Sequence, residues 1–317
     1  MIRELVFILL RLALIPFFIR EVIQRKRITI LVYHDIKPEI ADMHFEILKS
    51  KYNIISLRDY INARKLRKVD KLPPKSLIIT FDDGHKSNYE LKTILEKYNI
   101  PATIFLCSAI VGTKRHFWFR HGIGNSTCEY LKNVSDKKRL EILRKFGFEE
   151  RKEFSDRQAL SKNEIEEMKD VVDFQSHTMF HPILPNCSTE GALKEISQSK
   201  KDLEHKHGVR IYALSYPNGD YSDREISIAK KAGYECGVTV DSGLNSQHTD
   251  LFRLKRICIK DDADINELLV KTSGFWGYVK GNPLQDGANV KRRVGVMLRG
   301  LRLLEIQLRK MQDEPAH

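Results

Sequence analysis

SLIITFDDG, residues Ser76 to Gly84, is the stretch from which the rest of the chain can be read. Leu77, Ile78 and Ile79 make a short apolar run, rich in β-branched residues, of the kind that forms a strand covered on both faces. The run ends in two adjacent carboxylates, Asp82 and Asp83, followed by a glycine that can take backbone angles closed to other residues. Alternation along an extended chain predicts that the two carboxylates point in different directions. One can then hold a metal while its neighbour handles a proton. A lone DDG is more often an Asp-capped turn, so the residues elsewhere in the chain must separate the two readings.

Outward from this strand, the pattern alternates. Ile28 to Tyr33 (ITILVY) reads as a buried strand that delivers His34 and Asp35 at its C-terminal end. Residues 39 to 72 read as helix with loops, ending at Pro73-Pro74. Tyr89 to Tyr98 has helical periodicity, with Asn99 and Pro101 as stop signals, and Ala102 to Leu106 is the next strand. From Thr113 to about Ala159 the alternation gives way to an aromatic patch (HFWF, 116 to 119) and mixed charged helix, an insertion at the domain edge. Ser161 and Glu164 form a capping box, and the strand Val171 to Gln175 leads into SHTMFH, 176 to 181. A helix over about 190 to 205 and a strand at Ile211 to Ser215 come next. The turn Tyr216-Pro217-Asn218-Gly219, a second capping box (Ser222, Glu225) and strands at 235 to 240 and 254 to 259 complete the series. About seven strands alternating with helices predict a parallel α/β architecture, with polar residues at strand C-terminal ends where barrel enzymes keep their sites.

Charge is concentrated at the ends. Of a net charge of +12, residues 1 to 27 and residues 280 to 317 each contribute +4. That distribution argues against a broad nucleic-acid-binding face and for contact with an anionic membrane surface. Leu5 to Ile19 is apolar apart from Arg11, but fifteen helical residues cover only about 22 Å against about 30 Å of hydrocarbon. Pro16 predicts a kink. The stretch is read as an interfacial anchor or as a buried core helix. At the other end, Val294, Met297, Leu301, Leu304, Leu308 and Met311 form one apolar stripe on a basic amphipathic helix over 288 to 317. The five cysteines include no C-x-x-C pair. They suggest a reducing compartment, and no small-x-small cleavage site follows the apolar stretch. The expectation is a peripheral protein on the cytoplasmic face of the membrane, the alternative being an anchored domain outside the cytoplasm.

His177 and His181, four apart, can share one cation with Asp83 if the backbone turns there, a His-His-carboxylate set suited to hydrolysis. With TFDDG, SHTMFH and, less closely, SYPNG (215 to 219), the sequence from Ile28 to Ile259 resembles the polysaccharide deacetylases that share the NodB homology domain, carbohydrate esterase family 4. The resemblance implies a distorted, incomplete (β/α)7-type barrel over residues 28 to 279. It implies one divalent metal, usually zinc with nickel or cobalt as alternatives, on Asp83, His177 and His181. It also implies Asp82 as general base, the Asn218 N–H in oxyanion stabilisation, and N-deacetylation of an N-acetylhexosamine glycan or glycolipid. Ser215 stands where such proteins often carry Arg, and Arg256 is one candidate to replace it. No Leu-x-His supplies an acid near the C-terminus. LVYHDI (31 to 36) is similar to the poly-N-acetylglucosamine deacetylase branch, which assigns the acid to His34. His85 and His248 are read as structural or solvated. O-acetyl esterase, cyclic imide or amide hydrolase, and catalytically silent carbohydrate binder remain the competing readings.

Overall fold

A computed structural model describes residues 2 to 279. The C-terminal amphipathic helix expected over 288 to 317 lies outside the described residues. The strands are β1 (Ile28–Tyr33), β2 (Asn53–Ile54), β3 (Ser76–Phe81), β4 (Ala102–Leu106), β5 (Val172–Ser176), β6 (Ala213–Ser215), β7 (Cys236–Val238) and β8 (Ile257–Cys258). All named pairings are parallel, in the order β7-β6-β5-β4-β3-β1-β8, with β2 beside β3. The helices are α1 (Ile2–Leu12), α2 (Ile15–Val22), α3 (Pro38–Lys51), α4 (Leu57–Lys65), α5 (Lys92–Tyr98), α6 (Asn125–Leu131), α7 (Asp136–Lys145), α8 (Lys162–Met168), α9 (Thr189–His207), α10 (Asp223–Lys231), α11 (Ile265–Thr272) and α12 (Phe275–Val279).

The curl of the sheet follows from which side chains pack on each face. Leu77, Ile79 and Phe81 of β3 join Leu31, Tyr33, Ile104 and Leu106 beneath the surrounding helices. Ile78 alternates to the other face and meets Ile28, Ile30, Phe105, Ala213 and Val238 in a second cluster, with Leu57, Tyr60 and Ile61 of α4 packed into it. Residues from both halves of the sheet converge in that second cluster, so it fills the concave side of an incomplete (β/α) barrel. β7 and β8 do not pair directly. The segment before β8 spans the gap through the parallel bridge Val238–Leu254, and Asn245 bridges to Ile28.

The N-terminal stretch departs from a single kinked helix. The chain reverses at Leu14, which takes φ +56°, and Pro16 sits in the first turn of α2. Proline is tolerated there because the N–H it lacks has no intrahelical partner in any case. Phe7, Leu10, Ile15 and Ile19 are buried, α1 and α2 pack on α11, and Phe7 meets Trp276 edge-on at 4.8 Å. No helix among the described residues is long and apolar enough to cross a membrane. β2, which the sequence pattern does not reveal, is two residues long. Both capping boxes form as their sequences predict, at the starts of α8 and α10.

Candidate metal centre and active site

The site is built at the C-terminal ends of β1, β3, β5 and β6. β3 stops at Phe81, and Asp82 continues its line, its N–H donating to the Tyr33 carbonyl at 3.0 Å. Asp83 then takes φ +72° and Gly84 φ +74°. The divergence of the two carboxylates, expected from strand alternation, is therefore made by a left-handed turn beyond the strand. A Cβ on Gly84 would lie 2.5 Å from Leu106 Cδ2, so a side chain there would have to displace buried Leu106 and would also be strained by the positive φ.

Asp83 Oδ1 lies 3.4 Å from His177 Nε2 and 3.4 Å from His181 Nε2, and ligand atoms of all three residues fall within 4.8 Å of one another. All three residues are buried, and Oδ1 has no hydrogen-bond partner. A buried carboxylate oxygen without a donor, facing two imidazole nitrogens, fits a divalent cation. His177 Nδ1 donates to the Ser215 carbonyl at 2.8 Å, which leaves Nε2 with its lone pair turned to the centre. His181 reaches the cluster because Thr178 and His181 both have positive φ, +66° and +58°. The turn between them is pinned from outside. Ser108 N–H and Ser199 Oγ donate to the Thr178 carbonyl at 3.0 and 2.8 Å, and Glu195 Oε2 accepts from the N–H groups of Met179 and Phe180 at 2.9 and 3.0 Å.

Asp82 is held apart from this cluster. Arg256 donates from both terminal nitrogens, to Oδ1 at 2.8 Å and Oδ2 at 2.7 Å, and Ser215 Oγ donates to Oδ2 at 3.1 Å. Arg256 is itself fully buried and fixed on the Thr239 carbonyl at 2.8 Å. Burial opposes ionisation of Asp82, but Arg256 and then His177 outweigh it and lower the carboxyl to about 2. Asp83 is likewise held well below the usual carboxylate range, burial being outweighed by His177, His85 and His181. Burial lowers the His181 imidazole to about 3, against the pull of Asp83. For His177 burial acts downward too, yet Asp82 and Asp83 prevail and raise it.

The remaining residues form a rim. His34 follows β1 and is half-buried. Its N–H donates to Asp261 at 3.1 Å and its carbonyl accepts from Asn88 at 2.9 Å, so its backbone is fixed on both sides. Asn218 lies on the exposed turn after β6 with φ +57°, its side chain donating to Asp220 at 2.6 Å. Of the two readings the sequence leaves for His85, structural or solvated, its burial excludes the solvated one. The His85 Nε2 lies 3.0 Å from Asp83 Oδ2, and its Nδ1 accepts from Arg120, which also pairs with Asp35 at 2.5 Å. The insertion supplies that Arg120. It also places Trp118 Nε1 on the His181 carbonyl at 2.8 Å and Phe119 against the His181 ring at 4.8 Å. His248, by contrast, is exposed on the 246–250 loop.

Comparison with known proteins places the chain and its fold. Residues 69 to 237, more than half of the chain, match the family described as polysaccharide deacetylase. The sequence is 26% identical over 190 residues to a putative polysaccharide deacetylase of Bacillus subtilis, covering 59% of this chain and 53% of that protein. It is 27% identical over 230 residues to the poly-beta-1,6-N-acetyl-D-glucosamine N-deacetylase of Staphylococcus epidermidis, covering 70% and 66%. The chain thus spans between about half and two thirds of the length of these relatives. Among solved structures, the Streptococcus pyogenes deacetylase PplD in complex with acetate is similar in fold, with a TM-score of 0.58 and 24% identity over 78% of this chain and 98% of that one. IcaB from Ammonifex degensii also has a TM-score of 0.58, with 17% identity over 79% and 97%. The match over more than half of its length makes the chain a member of the polysaccharide deacetylase family.

Proposed function

We propose that this protein is a metal-dependent hydrolase that removes N-acetyl groups from an N-acetylhexosamine-containing glycan or glycolipid. The observation that carries the reading is the partnerless Asp83 Oδ1, buried between the Nε2 atoms of His177 and His181. Those three residues would hold one divalent cation, zinc being the first candidate and nickel or cobalt the alternatives. With the cation bound, the site has Lewis-acid chemistry available for polarising an acetyl carbonyl and acidifying a water.

The protein's own groups account for the rest. Asp82, kept ionised by Arg256, takes the proton from the attacking water. His34, fixed by Asp261 and Asn88, returns a proton to the departing sugar amine. The Asn218 N–H, on the turn after β6, helps to hold the developing oxyanion. The similarity to poly-beta-1,6-N-acetyl-D-glucosamine N-deacetylases supports an amide rather than an ester as the bond broken.

Acetate release from a panel of N-acetylated hexosamine oligomers, O-acetylated sugars and cyclic imides, with and without chelator, tests this reading. Chelator-sensitive release from the N-acetylated sugars is the expected result. Turnover confined to esters or imides would reassign the substrate class, and turnover unaffected by metal removal would overturn the metal-dependent reaction.

A further inference from the structure

We propose that the α1–α2 hairpin is a docking element that lays its outer apolar face into the headgroup region of an anionic membrane. Helix α1 is apolar on two sides. Phe7 and Leu10 are buried, and α1 packs on α11. At about 100° per residue, Leu5, Ile8, Leu9 and Leu12 fall on the opposite side with i, i+3, i+4, i+7 spacing, and all four are exposed. One apolar face accounts for packing on the barrel. The second has no use within the described fold.

The exposed apolar surface is also concentrated here. Eight of the thirteen large hydrophobic side chains exposed among the described residues fall between Leu5 and Val22. Leu12 at the turn is 72% exposed, and Phe17 and Phe18 of α2 are 47% and 53% exposed. Exposed apolar side chains concentrated in this way mark a surface that meets something other than water.

Charge selects the occupant. Residues 1 to 27 carry an excess of +4, and Arg11, Arg25 and Lys26 within it are exposed. A second copy of the chain on the same face would set +4 against +4. An anionic bilayer surface supplies both an apolar interior for the leucines and phenylalanines and the opposite charge for the basic groups. No described helix is long enough to span, and α1 as described covers about 16 Å against about 30 Å of hydrocarbon. The hairpin must therefore lie in the interface plane.

Its placement bears on the substrate. Arg11 donates to Asn266 at 2.9 Å, in the first turn of α11. The loop just before α11 carries Asp261, whose carboxylate accepts from the N–H groups of His34 and Asp35. The turn between α1 and α2 is thus at the end of the barrel that carries the site. The far end of α2 reaches the opposite end of the barrel, where the Arg25 carbonyl accepts from Lys75 N–H. A hairpin lying flat therefore sets the barrel side-on to the bilayer with the site opening alongside it, and on the deacetylase reading the glycan acted on is one held at or near the membrane.

Vesicle flotation of the full-length protein tests the docking without reference to catalysis. Wild type is expected to float with phosphatidylglycerol-containing vesicles and to remain below with pure phosphatidylcholine. Leu12→Glu/Phe18→Glu, at two exposed positions, should weaken binding by roughly tenfold or more. Arg25→Gln/Lys26→Gln should weaken it by about 30-fold at low salt, about 1 kcal/mol for each basic residue, with thermal unfolding unchanged. Full-length protein that stays soluble with anionic vesicles overturns the proposal. So does binding that survives both pairs of substitutions, which would place the membrane contact elsewhere in the chain. A dimer in solution that Leu12→Glu/Phe18→Glu converts to monomer would assign the face to a second copy instead.

Discussion

Arg256 holds both carboxylate oxygens of Asp82, at 2.8 and 2.7 Å, across 174 positions of sequence. The planar fork fixes the carboxylate's orientation and keeps it ionised in a fully buried place. Removing the fork leaves that charge with only the Ser215 hydroxyl as a hydrogen-bond donor. Arg256→Met is expected to cost roughly 3–5 kcal/mol of stability and to move the acidic limb of the pH–rate profile upward. The direction follows from the sign of the shift, since a carboxyl lowered by Arg256 rises once Arg256 is gone. Arg256→Lys restores charge but not the two-point contact, so it should recover stability better than rate. An acidic limb that stays in place in both variants would show that Asp82 is not the group whose ionisation the rate follows.

Asp82 and His34 are expected to act as a base and acid pair. Asp82→Asn should retain the metal and lose about 10²–10⁴-fold in rate. His34→Ala should change the alkaline limb, where the acid must still be protonated. Metal analysis beside a pH–rate series on each variant checks the pair. An Asp82→Asn enzyme of near wild-type rate is the outcome that would reassign the base.

The Asp83–His85–Arg120 chain predicts a graded loss of metal. Because Arg120 occupies His85 Nδ1, the Nε2 proton is directed at Asp83 Oδ2, leaving Oδ1 for the centre. His177→Ala/His181→Ala should abolish stoichiometric metal binding. His85→Ala should instead weaken affinity by about 10–100-fold, the usual cost of losing a partner that orients a ligand. Competition against a chelating dye separates the two. Equal retention by wild type and His85→Ala would make His85 a packing residue.

Glu195 gives the fold a pH dependence of its own. Burial raises its carboxyl to about 7, although the Phe180 and Met179 N–H groups favour the charged form. A carboxyl raised on folding contributes stability that is full below its unfolded value and lost as pH rises through about 7. Glu195→Gln keeps an acceptor for both N–H groups but cannot ionise. Its thermal stability relative to wild type should therefore improve from pH 5 to pH 8, measured on metal-free protein. A constant difference across that range would mean that Glu195 does not titrate there.

Much of this architecture is legible in local sequence. β1, β3 and β4 stand where apolar runs place them, because a strand covered on both faces has few polar residues to obscure it. Asp83, His177 and His181 are legible together because each follows such a strand. Arg256 is only a candidate from sequence. It arrives from an irregular segment beside a two-residue strand, and nothing local ties it to Asp82. His85 looks ordinary because its role depends on Arg120, which an insertion brings from 35 positions away. The reversal at Leu14, two residues before the proline that draws attention, reflects a tertiary choice. It lets Phe7, Leu10, Ile15 and Ile19 all be buried.

Left-handed backbone recurs around the candidate metal centre, and it bears on stability. Asp83, Thr178 and His181 all hold positive φ without being glycine, and for the β-branched Thr178 this is a rare conformation. Non-glycine positions of this kind cost about 1–3 kcal/mol each, offset by the barrel that grips them. The protein therefore forgoes stability at the positions that give it chemistry. A duplicated copy released from catalytic duty would gain robustness by drifting to glycine at Thr178 or His181. Loss of function in such a lineage would be self-reinforcing, each step towards a sturdier barrel also dismantling the centre it encloses.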